Sequence, residues 1–148
     1  MSYATENDLI RKWGAAQVDL AAFDDATQAR DALRIAAALA AGEAMMNGYF
    51  GKRYALPIDA APDGVILLRN LCCDLAMGEL SNTPGSRNDI VKEAVEAARK
   101  FLSDVALGRA DVPQNPPPGS PAPAIPSPNE AIVAANDRTF TRNRLRTM

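Results

Sequence analysis

Residues 26–50 read ATQARDALRIAAALAAGEAMMNGYF, and this stretch decides the fold class. Leu33, Ala36, Ala37, Ala40, Ala44 and Met45 recur at the i, i+3, i+4, i+7 spacing of one helical side. Ile35, Leu39 and Met46 extend a second side, and polar residues are confined to Gln28, Arg30, Asp31, Arg34 and Glu43. A helix apolar nearly all round is either central in its domain or shared between subunits. The reading places it as the hub of the domain. Asp24 and Asp25 are expected to open it, because negative charge complements the amide end of the helix dipole.

Helical signals continue on both sides. Thr5-Glu6-Asn7-Asp8 has the form of a capping box, in which the threonine oxygen takes a free amide at a helix start. Leu9, Ile10 and Trp13 give that helix an apolar side and Gly14 stops it. A second short helix is expected around residues 16–23. After residue 50 the chain reads as an extended connector to Pro57, and Pro62 suits the first turn of a fourth helix over 62–81. Its expected core side is Val65, Leu68, Cys72, Leu75 and Ala76; its wet side is Arg69, Asn70, Asp74 and Glu79. Ser86-Arg87-Asn88-Asp89 forms a second capping box for a fifth helix reaching about Leu107. Ile90, Ala94, Ala97, Phe101 and Val105 are expected to face inward there. No strand alternation persists over more than a few residues, so the prediction is all-α: a compact bundle of about five helices.

Composition narrows the function. The chain has 148 residues, 28 of them alanine, 11 proline, 2 cysteine and none histidine. This length suits one domain with a real core. Without histidine there is no Ser-His-Asp or Cys-His pair and no His-ligated metal site. The longest apolar run, residues 35–41, is far short of a membrane span, and the first residues lack a signal-peptide pattern. The expectation is a protein kept inside a cell, with no membrane partner. Residues 1–112 carry 12 basic and 16 acidic side chains, a net of −4, whereas 113–148 carry 4 arginines and 2 acids.

Eight prolines fall between Pro113 and Pro128. Proline lacks the amide donor and blocks helix, so this stretch reads as an extended proline-rich tail. The expected division is a helical body over 1–110, a linker over 111–128 and a docking peptide over 129–148. A solvating tail has little use for Ile132, Val133, Phe140 and Leu145 among Arg138, Arg142, Arg144 and Arg146. Such a peptide suits adding a strand or short helix to a partner and pairing with its carboxylates. The alternative is a basic tail on nucleic acid, which needs charge alone.

Candidate chemistry elsewhere is thin. Cys72 and Cys73 point about 100° apart on a helix and cannot chelate one ion together; they read as buried small apolar residues. Asp24 and Asp25 lack the alternation and central glycine of a calcium loop. Residues 48–52 lack the spacing of a phosphate loop. Gly51-Lys52-Arg53-Tyr54 mixes cations and aromatics, but two charges on an acidic body make no nucleic-acid footprint. Tyr49, Phe50 and Tyr54 are expected to anchor the connector between helices. The residues thus predict no catalytic site, no metal, no cofactor and no enzyme activity.

Three stretches, in this order, carry a resemblance: Tyr3-Ala4-Thr5 with Asp8-Leu9-Ile10; Gly48-Tyr49-Phe50 with Arg53-Tyr54, Leu56 and Pro57; and Leu71-Cys72-Cys73-Asp74-Leu75-Ala76. Together they resemble the Mu-like phage head–tail adaptor family, related to the small helical connector proteins of long-tailed phages. The resemblance covers roughly residues 2–110. It implies a structural virion protein at the neck, assembled in the host cytoplasm as a dodecameric ring beneath the portal. Such a ring seals the packaged head and links it to the next neck or tail-completion protein. It also implies that the C-terminal tail docks on the portal and that genomic DNA passes the channel without sequence-specific binding. Close-packing alanines at Ala36, Ala37, Ala40 and Ala44 fit a subunit–subunit surface. A DNA-associated helical protein, using the arginines of the tail on phosphate, is the other reading.

Overall fold

Thr5 starts the fold as its local sequence dictates. Its hydroxyl accepts from the Asp8 amide while the Asp8 carboxylate accepts from the Thr5 amide, the reciprocal capping box of α1 (Glu6–Trp13). Gly14, at φ +83°, ends that helix in a conformation glycine adopts without strain. α2 (Ala15–Ala21) follows at once. The computed structural model describes residues 2–25, 27–82 and 88–115.

The next segment departs from the sequence reading. Asp24 and Asp25 do not open the long helix. Phe23–Asp24 (β1) and Ala29–Arg30 (β2) form a small antiparallel hairpin, turned through Gln28 at φ +53°. The cap is Asp31, whose carboxylate accepts from the Leu33 and Arg34 amides, and α3 runs Ala32–Phe50. Two aspartate sites compete for the same role, and Asp31, which lies four residues before the apolar run of 35–41, takes it.

α4 (Pro62–Leu80) begins with proline in its first turn, and α5 (Asp89–Ala106) is capped by Asn88, whose side chain accepts from the Ile90 amide. Ser86 of the expected capping box lies outside the described residues. Among the described residues the regular structure is helical apart from the hairpin and one isolated bridge, so the all-α bundle of five helices is the observed architecture.

The hub is α4, not α3. α4 touches each of the other four helices, and from Leu68 to Leu80 most of its side chains are buried. α3 turns its larger side chains inward (Ile35, Leu39, Met46 and Phe50, with Ala38 and Gly42). The other predicted side, Leu33, Ala36, Ala37, Ala40 and Ala44, faces out, Leu33 being 82% exposed. Burying the bulky set removes more apolar area per residue than burying alanines, which fixes the rotation. Gly42 makes the α3–α4 approach close: a Cβ there would lie 3.2 Å from the Cys72 carbonyl oxygen.

Two other expected faces are corrected. On α5 the buried residues are Val91, Ala98, Leu102 and Val105, so the helix is turned by about one residue from the predicted face and Ile90 is exposed. On α4 Val65 is exposed, whereas Leu71, Cys73, Met77 and Leu80 join the core. Asp74, expected to be wet, is only 14% exposed; its carboxylate oxygen lies 2.6 Å from the Lys12 ammonium, which also donates to the Asn70 carbonyl. Burial pushes the Asp74 carboxyl upward, and the lysine opposes that shift. The pair ties α1 to α4.

Candidate functional site

The connector after α3 is built around its aromatic and basic residues. Phe50, the last residue of α3, is fully buried and meets Tyr54 edge to face, with centroids 6.2 Å apart. Arg53 and Tyr54 are placed by backbone bonds from their amides to the Phe50 carbonyl. Tyr49 is half-buried, with the Lys52 ammonium 5.9 Å from its ring centroid. Leu56 and Pro57 continue the chain on the surface through a cis peptide bond.

What this cluster holds was not legible in the sequence. One nitrogen of Arg53, Nη1, donates to the Val105 carbonyl at the end of α5, to the Ala110 carbonyl and to the Asp111 carboxylate, at 3.1, 3.3 and 3.0 Å. The Tyr54 hydroxyl donates to the same Asp111 carboxylate and accepts from the Val112 amide. The guanidinium also lies 5.6 Å from the Tyr54 ring centroid. Both charges of the Arg53–Asp111 pair are substantially exposed, so the ion pair itself adds little. The bonds to carbonyls and to the Tyr54 hydroxyl give the arrangement its geometry.

Residues 109–115 thus form a strap laid back over the connector. The Ala61 amide donates to the Pro113 carbonyl, and the Asn115 amide donates to the Asp59 carbonyl. The Asn115 side-chain amide adds bonds to the Asp59 carboxylate and the Ala60 carbonyl. Gly64, in the first turn of α4, leaves room for this path, since a Cβ there would run into the Pro113 carbonyl oxygen. The compact body therefore runs as far as Asn115.

The remaining chemistry is sparse. Burial pushes the Cys72 thiol up to about 12 and the Cys73 thiol to about 11, which removes the reactive thiolate at neutral pH. Ser81 is buried beside a cleft of about 420 Å³ between α4 and α5, and no described residue hydrogen-bonds its hydroxyl to activate it. Among the described residues no group of three or more His, Cys, Asp or Glu side chains could hold a metal ion. No described helix is long and apolar enough to cross a membrane.

Of the predicted site residues, the connector set comes together: Arg53 and Tyr54 meet the strap, Phe50 packs against Tyr54, and Tyr49, Leu56 and Pro57 lie beside them in the chain. Ala36, Ala37, Ala40 and Ala44 all lie on the exposed side of α3. Ile132, Val133, Arg138, Phe140, Arg142, Arg144, Leu145 and Arg146 lie outside the described residues. The family model described as Bacteriophage Mu, Gp36 matches residues 3–133, nearly the whole chain, connector and strap included. The chain belongs to the bacteriophage Mu Gp36 family. This bears out the Mu-like resemblance and makes the protein a phage structural protein. The Gp36 match stops just after Ile132 and Val133, so the arginine-bearing end from Arg138 falls beyond it. No curated protein matches the chain.

Proposed function

We propose that this Gp36-family protein is a head–tail adaptor. Its copies form a ring under the portal at the virion neck, seal the packaged head and carry the next neck or tail-completion protein. The ring assembles in the host cytoplasm, and the segment 129–148 docks on the portal. The role is structural, without catalysis or cofactor.

The observation that carries the ring is the outer side of α3. Its exposed residues are Ala32, Leu33, Ala36, Ala37, Ala40, Ala41, Ala44 and Gly48, none with a polar side chain. α5 supplies the internal comparison, since a water-facing helix in this body exposes Lys92, Glu93, Glu96, Arg99 and Lys100. An uncharged side of small residues suits close helix–helix contact with another copy and gives phosphate nothing to bind. The net acidic body supports a channel through which DNA slides without sticking.

Ala40→Glu tests the contact. At an exposed position the substitution shifts monomer stability by about 0.5 kcal/mol or less, whereas a charge buried between copies is costly. Sedimentation should show rings replaced by monomers with little change in thermal midpoint. Rings that assemble as before would exclude α3 from the contact. Docking is tested by removing 129–148: portal attachment should be lost while the helical circular dichroism of the body persists. Salt-dependent binding of the free 129–148 peptide to DNA, with portal attachment unchanged by the truncation, would favour the nucleic-acid reading instead.

A further inference from the structure

The strap holds little core. Of residues 109–115 only Val112 is buried; Asp111, Pro113, Gln114 and Asn115 are exposed. Yet a disproportionate set of polar contacts converges on it. Arg53 directs one nitrogen at the end of α5, at Ala110 and at Asp111. Tyr54 takes Asp111 and Val112, and Asn115 makes three bonds to Asp59 and Ala60. α4 also carries glycine at position 64, where alanine would favour the helix by up to about 1 kcal/mol but would collide with the strap. These contacts define a path more than they bury surface. The path ends at Asn115, directly before Pro116-Pro117-Pro118 and the segment that leads to Ile132.

We propose that Arg53, Tyr54 and Gly64 form a latch that sets the point from which the C-terminal segment starts, and so its reach and its effective concentration at the docking partner. The proposal rests on the portal-docking reading of 129–148. With the strap closed, the tether to Ile132 counts 17 residues from Asn115; with it open, the tether counts 24 from Gly108. Opening adds at most about 25 Å of contour at about 3.6 Å per residue. Effective concentration falls roughly as the −3/2 power of tether length, so each tail loses roughly twofold, and the losses compound across the copies of a ring. Because most of the strap's side-chain bonds lie at the surface and only Val112 is buried, it can open without the helices unfolding.

The experiment uses the full-length protein and portal rings of the same virus. Gly64→Val blocks the strap sterically. The double variant Asp111→Ala/Asn115→Ala removes the strap's side-chain bonds to Arg53, Tyr54, Asp59 and Ala60 from exposed positions and leaves α4 untouched, which guards against a folding defect in the first. Hydrogen exchange at the Ala61, Val112 and Asn115 amides reads the strap, circular dichroism reads the helices, and dissociation from immobilised portal rings reads docking. Expected are at least tenfold faster exchange at the three amides, unchanged helicity and at least tenfold faster dissociation. A strap that stays protected in both variants, or an open strap with wild-type dissociation, overturns the latch. Removing 129–148 in parallel separates the two readings: if portal dissociation does not respond to that truncation, the docking function itself is wrong, whatever the exchange data show.

Discussion

Phe50→Ala is expected to lower the free energy of unfolding by about 3–5 kcal/mol, a large part of the stability of a body this size. Phe50 is fully buried at the end of α3, and its ring is the edge-to-face partner of Tyr54. Truncation leaves a cavity that a helix terminus carrying two backbone bonds to Arg53 and Tyr54 cannot easily collapse into. The aromatic pair adds about 0.5–1.5 kcal/mol beyond area. Chemical denaturation should show a lower midpoint with an unchanged slope. Phe50→Leu, which keeps most of the volume, should cost less than about half as much. The loss also loosens Tyr54, so the Val112 amide should exchange faster in Phe50→Ala even well below the unfolding midpoint. A destabilisation under about 1 kcal/mol would show that Phe50 is not the anchor of the connector.

The second large effect is expected at Gly42. A Cβ added there would stand 3.2 Å from the Cys72 carbonyl oxygen, 3.4 Å from the Ala76 nitrogen and 3.4 Å from the Leu75 Cβ. Two of these are backbone atoms of the hub helix, which cannot rotate away. For Gly42→Ala the tight contact is offset by a helix-propensity gain of about 1 kcal/mol, and the net change should be small. Gly42→Leu has no such compensation and must push α3 off α4, costing about 3 kcal/mol or more. Thiol labelling supplies an independent reading, because Cys72 lies beneath this contact with its Sγ 3.8 Å from the Leu39 carbonyl oxygen. Cys72 and Cys73 should resist labelling in the parent and in Gly42→Ala, and should react markedly faster in Gly42→Leu. Equal labelling in all three would mean that α3 and α4 do not meet at Gly42.

These two positions also mark what the sequence does and does not reveal. Local devices are legible: Thr5 with Asp8, Gly14 and Pro62 each act on backbone a few residues away, so spacing alone identifies them. The importance of Phe50, Arg53 and Tyr54 is legible as an aromatic and basic cluster after a helix end. Their partners are not, because Asp111 and Val112 lie some 58 residues further along the chain. Helix rotation is the other blind spot. On α3 nearly every side is apolar, so periodicity offers two faces, and only the fit against α4 selects Ile35, Leu39 and Met46 over Leu33 and the alanines. On α5 the sets beginning at Ile90 and at Val91 are both apolar, and a one-residue choice turns the helix by about 100°. The hairpin at 23–30 carries no Asn-Gly or Asp-Gly signal, which is why Asp24 and Asp25 read as a helix start. The arginine-bearing tail illustrates a different boundary: its docking role rests on its chemistry and on the resemblance, and the family match ends before Arg138.

The central position of α4 has a consequence for the order in which the chain can fold. α1 precedes α4 by about 50 residues, yet α1 is fastened to it through Lys12, Asp74 and Asn70, and by the Asp8–Arg69 pair. During synthesis the first two helices can meet each other, Arg30 and α3 early, but their ties to α4 form only once it has emerged, and these add to sequence-distant contacts that slow closure. The strap follows α5 and is the last part of the body to be made. The body thus closes late in translation, and the segment from residue 116 onward is made only after every piece of its support.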